Sequence, residues 1–239
     1  MLPKLDVPTY ELDLPLSKKK IKYRPFLVKE QKNLLMAMES KDSLDIHNAI
    51  KDVLSNCTLT EGVDFDKLPI IDVEYYFINL RAKSVGEIVE TKYRCNNMVN
   101  DKTCGGTMES QVTLLDIKPE GKEVDPEIKL DGKITVKFKY PEFGIVKDSL
   151  NYETDSEVTF KLVASSIEYI YDGEQFFYAS ESTPEELVEF VESMNQAQFT
   201  KVEEFFSSMP QMKKTIDITC GKCGYEHHLE MEGLESFFG

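Results

Sequence analysis

Leu12, Leu14 and Leu16 alternate with Glu11, Asp13 and Pro15 near the start of the chain, the two-residue period of a strand. Pro3, Pro8 and Pro15 punctuate the same stretch, and each disfavours helix at the residue before it. Residues 1–27 are therefore expected to form an extended N-terminal arm whose first 20 residues the fold can lose. The period then lengthens. A helix is predicted over Val28 to Met38. In a second, Ile46, Ile50, Val53, Leu54 and Cys57 make one apolar stripe, with Asp42 or Ser43 as cap. A third runs from Pro69 to about Lys83. Its Ile70, Val73, Phe77 and Leu80 share one face and Ile71, Tyr75 and Ile78 cover another, so neighbours are expected to bury it on most sides.

From Gly86 alternation returns. Ile88 to Arg94 reads as a strand entering Cys95, and Thr107 to Leu115 as a strand leaving Cys104. A second hairpin is expected over 128–138, turning at Asp131-Gly132 in a type I′ turn. Thr154-x-x-Glu157 then signals a helix through Val158, Leu162 and Tyr169, stopped by Asp172-Gly173. Thr183-Pro184-Glu185-Glu186 is a stronger start signal. Phe199, Val202, Phe205, Phe206 and Met209 form a helical stripe expected in the core, halted by Pro210. Ile216–Thr219 and Tyr225–Leu229 are strands flanking Cys220-Gly221-Lys222-Cys223-Gly224.

The expected class is α+β: a small helical layer and antiparallel hairpins forming a discontinuous zinc-ribbon-like element, with a second helical region between its halves. The parts are an arm (1–27), a helical region (28–85), the ribbon-like element (86–115 and 214–232), an inserted hairpin and helices (116–213), and a tail (233–239). Phe237 and Phe238 in that tail are either tucked in or offered to a partner.

Five cysteines occur. Cys57 sits on the apolar stripe of the second helix and is expected in the core. The other four form two pairs at turns between strands. Cys220-x-x-Cys223-Gly has knuckle spacing: two intervening residues let both thiolates face one ion, and glycine permits the tight backbone. Cys95 and Cys104 are eight residues apart, but Gly105-Gly106 matches the glycine after Cys223, and the polar insert Asn96–Thr103 can bulge out. Cys95, Cys104, Cys220 and Cys223 are thus candidate ligands of a structural Zn2+ in a closed tetrahedron. Disulfides, unmetallated thiols, a redox pair or a histidine-containing site are the alternatives. His227 and His228 are expected at the surface, and only one of them can face the knuckle.

Charge narrows the function. The 239 residues carry 43 acidic and 28 basic side chains, a formal net charge of −15. Such a surface repels phosphate backbones. Against it stands a basic patch of Lys18, Lys19, Lys20, Lys22 and Arg24, with Lys29 and Lys32 beyond. It is either a lysine-protected strand edge or a contact for an acidic partner or another copy of the chain. No apolar run approaches the ~18 residues of a membrane span. The N-terminus lacks the order of a secretory signal, which points to synthesis in the cytoplasm with reduced thiols. Phosphate-binding glycine loops, His-Glu-x-x-His and Gly-x-Ser-x-Gly are absent from the sequence, and the chain is not expected to be an enzyme.

Pro8-Thr9-Tyr10-Glu11-Leu12, Ile21–Glu30, Leu34–Glu39, Arg81–Glu87 and the ending Gly233–Phe238 together resemble the baseplate hub subunit and hub-assembly proteins of T4-like contractile-tailed bacteriophages. The resemblance implies a virion or assembly protein of the tail baseplate that contacts other hub, wedge or tail-tube proteins, without catalysis, small-molecule substrate or membrane. The alternative is a zinc-ribbon nucleic-acid-binding accessory protein of a phage, supported by the basic patch. A cell-wall hydrolase would rest only on abundant carboxylates.

Overall fold

The computed structural model describes residues 5–121, 124–149 and 154–233. In chain order the elements are β1 (Tyr10–Asp13), β2 (Lys20–Tyr23), α1 (Val28–Ser40), α2 (Ser43–Cys57), α3 (Ile70–Ser84), β3 (Ile88–Arg94), β4 (Met98–Val99), β5 (Lys102–Thr103), β6 (Thr107–Thr113), β7 (Pro119–Glu120), β8 (Glu127–Lys129), β9 (Thr135–Phe138), α4 (Gly144–Ser149), α5 (Asp155–Ser165), β10 (Ile167–Tyr171), β11 (Phe176–Tyr178), α6 (Pro184–Glu192), α7 (Gln196–Ser208), β12 (Gln211–Thr219) and β13 (Glu226–Glu232). Helices and antiparallel sheet are mixed, an α+β chain.

The alternating leucines do not make a separable arm. β1 and β2 pair as a hairpin, Tyr10 opposite Tyr23 and Asp13 opposite Lys20. Leu14, Ile21 and Tyr23 are at most 2% exposed and join the core of α1, α2 and α3. The reason is the period itself: one face of a hairpin is apolar, and α3 offers a surface to bury it. Asp72, in the first turn of α3 and fully buried, accepts the backbone N–H groups of Leu16 and Ser17, each at 2.8 Å. Those two bonds and the positive end of the helix compensate the buried carboxylate. Removing residues up to 20 would therefore open this core.

α2 starts where its cap predicts: the Asp42 carboxylate accepts from Leu44 and Asp45 N–H. Its stripe of Ile50, Val53, Leu54 and Cys57 is buried. α3 is walled on two sides. Val73, Tyr76, Phe77 and Leu80 face the N-terminal core, while Ile78 and Ala82 face a second core built on β3, β6, β12 and β13.

Residues 124–209 carry a third core. A four-stranded antiparallel sheet in the order β11-β10-β9-β8 packs against α5, α6 and α7. Thr183 makes the expected capping box with Glu186, and Asn195 makes another with Gln198 that the sequence reading overlooked. Phe205 is buried and lies 5.5 Å, ring to ring, from Phe138.

Two local expectations are corrected here. The helix begun at Thr154 stops at Ser165; Ile167–Tyr171 is a strand flanked by β9 and β11, and Asp172-Gly173 turns the β10–β11 hairpin. The run Ile-Glu-Tyr-Ile-Tyr is β-branched and aromatic, and two strand partners outweigh a weak helical stripe. The Asp131-Gly132 turn is not type I′ either. Gly132 lacks a positive φ, and the Asp131 carboxylate instead accepts Lys133 and Ile134 N–H at 2.8 Å. The left-handed pair occurs at Asn100 and Asp101 (φ 50° and 59°), between β4 and β5.

Glu74 of α3 lines a cavity of about 350 Å³ where the three cores meet, together with Ile71, Phe206, Met212 and Glu232. Burial, and then the Glu232 charge, push its carboxyl up to about 7. An acid with a raised folded-state pKa binds its proton more tightly in the native protein, so stability falls as pH rises between about 4.5 and 7. Glu74→Gln should flatten that decline and raise stability at pH 8 by on the order of 1–3 kcal/mol, measured by urea unfolding at both ends of the window. An unchanged pH slope would contradict this assignment.

Candidate metal centre

The two cysteine pairs sit at the ends of two hairpins. In one, β3 and β6 pair from Ile88 opposite Thr113 to Arg94 opposite Thr107; in the other, β12 and β13 pair from Lys213 opposite Glu232 to Thr219 opposite Glu226. Their turns share one bonding scheme. Cys95 N–H donates to the Gly106 carbonyl at 2.8 Å, and Gly105 N–H to the Cys95 carbonyl at 3.0 Å. Likewise Cys220 N–H donates to the Tyr225 carbonyl at 2.9 Å, and Gly224 N–H to the Cys220 carbonyl at 2.8 Å. Gly105 (φ 63°) and Gly224 (φ 74°) occupy the left-handed region that this turn requires. The insert does not spoil the match. Cys104 N–H closes its base on the Asn97 carbonyl at 2.8 Å, and β4 and β5 zip the rest into a small side hairpin.

The four Sγ atoms of Cys95, Cys104, Cys220 and Cys223 lie within 4.8 Å of one another. Cys95 to Cys223 is 3.6 Å, and Cys104 to Cys220 is 3.8 Å. A tetrahedron of ~2.3 Å metal–sulfur bonds has edges of about 3.8 Å. A disulfide would need ~2.05 Å, and none of the five cysteines is in one. Cys95, Cys104 and Cys220 are buried.

Backbone amides aim at each sulfur: Asn97 at Cys95, Gly106 at Cys104, Cys223 and Lys222 at Cys220, and Tyr225 at Cys223. The Tyr225 amide leads in drawing the Cys223 thiol down to about 6, and the Cys223 and Lys222 amides lower that of Cys220. Burial dominates at Cys95, which is pushed up to about 12. At Cys104 the Gly106 amide pulls down, but burial and the neighbouring sulfurs outweigh it and leave the thiol raised. The surroundings thus favour the thiolate at Cys220 and Cys223 and the thiol at Cys95 and Cys104. A bound divalent cation would hold all four as thiolates, and the donor set fits a soft or borderline ion.

Three neighbours complete the site; the sequence points to a histidine facing the knuckle and to the Gly105-Gly106 turn, but not to Asn97. His227 is buried, with Nε2 3.2 Å from Cys95 Sγ, so its expected surface position is corrected. Strand alternation turns His227 inward and His228 outward, where His228 meets Asp217 at 2.5 Å. Asn97 Nδ2 lies 3.7 Å from Cys223 Sγ. Gly106 is packed so closely that a Cβ would sit 2.8 Å from Cys220 Sγ and 3.1 Å from Lys222 Cβ. The Gly105-Gly106 pair was the available signal: the first glycine serves the turn, the second the close approach.

The remaining candidates lie elsewhere. Lys18, Lys19, Lys20 and Lys22 are exposed on or beside the β1–β2 hairpin, where Lys20 sits 3.9 Å from Glu11 and 3.8 Å from Asp13. Arg24 is occupied within the fold: it donates to the buried Glu30 at 3.0 Å and to the Asn56 carbonyl at 3.1 Å. Phe237 and Phe238 fall outside the described residues. Cys57 is buried in the N-terminal core, and burial pushes its thiol up to about 11. Among the described residues no helix is long and apolar enough to cross a membrane.

Gly106→Ala should force the two turns apart and lower the thermal midpoint by several degrees, whereas Gly132→Ala, with nothing within 4 Å of its Cβ, should stay within about 0.5 kcal/mol of the parent. Equal effects of the two substitutions would show that the close approach is not needed.

One protein-family model, described as T4 bacteriophage base plate protein, matches residues 7–239. No curated protein and no solved structure matches the chain. The chain belongs to the T4 bacteriophage base plate protein family.

Proposed function

We propose that this baseplate protein is a structural or assembly component of the central hub of a contractile phage tail, working through protein–protein contacts and without catalysis. It would be made in the bacterial cytoplasm and act in the tail baseplate. The observation that carries the proposal is the sulfur cluster in a baseplate-family chain: 115 residues separate Cys104 from Cys220, yet their sulfurs lie 3.8 Å apart. A Zn2+ held by Cys95, Cys104, Cys220 and Cys223 would have four protein ligands and no open position for a substrate. Such an ion fastens the hairpin that precedes residues 114–210 to the hairpin that follows them.

Rigid blocks of this kind are useful in assembly because docking then carries little ordering cost. The exposed lysines near the β1–β2 turn would meet an acidic face of another hub, wedge or tail-tube protein. The nucleic-acid alternative loses support, since Lys20 lies between two carboxylates and Arg24 is engaged by Glu30.

Mass spectrometry of intact particles and electron microscopy of lysates from phage lacking this gene test the proposal together. Without the protein, tails should stop before a complete baseplate forms. A Lys19→Glu/Lys22→Glu chain should fold normally and support assembly at least tenfold less well. Normal tail yields from the deletion would overturn the reading.

A further inference from the structure

Sheet edges are where a folded chain is most open to another chain, because backbone donors and acceptors there lack a strand partner. The two edges of the four-stranded sheet are treated differently. β8, at one edge, reads Glu127-Ile128-Lys129 and so carries a charge at both ends. β11, at the other, reads Phe176-Phe177-Tyr178, with no charge, no proline and no bulge in its pairing with β10. Each of the three side chains is 43–50% exposed. Lysines, prolines and bulges are the usual guards of an edge, and β11 has none of them.

The aromatic surface continues inward. Tyr169 opposes Tyr178 and Tyr171 opposes Phe176, so these four rings share one face of the sheet. Phe176 lies 4.7 Å from Tyr171 and 5.2 Å from Tyr169, ring centre to ring centre. Phe177 points the other way and is also half exposed. Among the described residues β11 has a strand on one side only, so an added strand would find the other side of β11 and aromatic contacts on both faces. Its charge is also specified. Residues 167–186 contain Glu168, Asp172, Glu174, Glu181, Glu185 and Glu186, and no lysine or arginine; Lys137 of β9, 5.6 Å from the Tyr169 ring centre, is paired with Glu168 at 3.2 Å, and the other five carboxylates outnumber it.

We propose that β11 is a docking edge for an extended, basic segment of a partner protein, one that alternates basic and apolar residues and adds as a fifth strand. The main chain would supply pairing, the apolar positions would lie on the rings, and the basic positions would meet the surrounding carboxylates. The proposal stands on the geometry of this edge and does not depend on the place of the protein in the baseplate.

Two synthetic hexapeptides test it against the full-length protein: alternating Lys-Val and alternating Glu-Val, both capped at their ends. Backbone amide NMR should show the Lys-Val peptide shifting residues 174–182, weakening with added salt, and binding at least tenfold more tightly than Glu-Val. Phe176→Ser/Tyr178→Ser replaces two exposed side chains and should leave the rest of the spectrum in place while abolishing those shifts. Equal shifts from both peptides, or unaltered binding by the double variant, would overturn the proposal. So would self-association of the chain, or binding of a neutral oligosaccharide at the same rings, if either saturates β11 and excludes the Lys-Val peptide.

Discussion

Four buried or half-buried sulfurs drawn within 4.8 Å of one another are the constraint on which the rest of the molecule depends. Thiols have little reason to gather so closely by themselves. They are weak hydrogen-bond partners, and as thiolates they repel one another. The amides of two similar turns point at them, which favours the ionised form, while burial at Cys95 opposes it. A divalent cation at the centre of the tetrahedron would resolve the conflict by supplying opposite charge. Because ligands from positions 95 and 223 must meet, the binding energy of such an ion would become folding energy, on an apparent scale of ~10 kcal/mol.

α3 does on the apolar side what the cysteine cluster does on the polar side. One helix contributes Val73, Tyr76, Phe77 and Leu80 to the N-terminal core and Ile78 and Ala82 to the core under the two hairpins. Asp72 at its start also ties down the β1–β2 hairpin. Residues 124–209 form their own core and return the chain at Gln211 to strands that pair with β7 and β13. The long inserted region is thereby closed at its base by β12, by α3 packing and by the sulfur cluster.

The sequence was informative where local chemistry decides the outcome. Asp42, Thr183 and the Cys-x-x-Cys-Gly turn act within a few residues, and each does what its spacing indicates. It was misleading where partners distant in the chain decide. Ile167–Tyr171 looks like a helix continuation until β9 and β11 bracket it. Leu14 and Ile21 look like parts of a free arm until α3 covers them. Asp131-Gly132 has hairpin composition, but the Asp131 side chain makes the turn bonds itself. His227 and Arg24 needed the fold as well: a strand register placed one beside Cys95, and a buried Glu30 claimed the other.

The most direct test of the clip is metal analysis of the reduced protein combined with its unfolding curve. Protein purified under reducing conditions should hold one zinc ion per chain, and removing the ion with a strong chelator, or replacing Cys220 with serine, should lower the unfolding midpoint by the same large amount. A chain that carries no metal and unfolds at the same midpoint with or without the chelator would contradict the account.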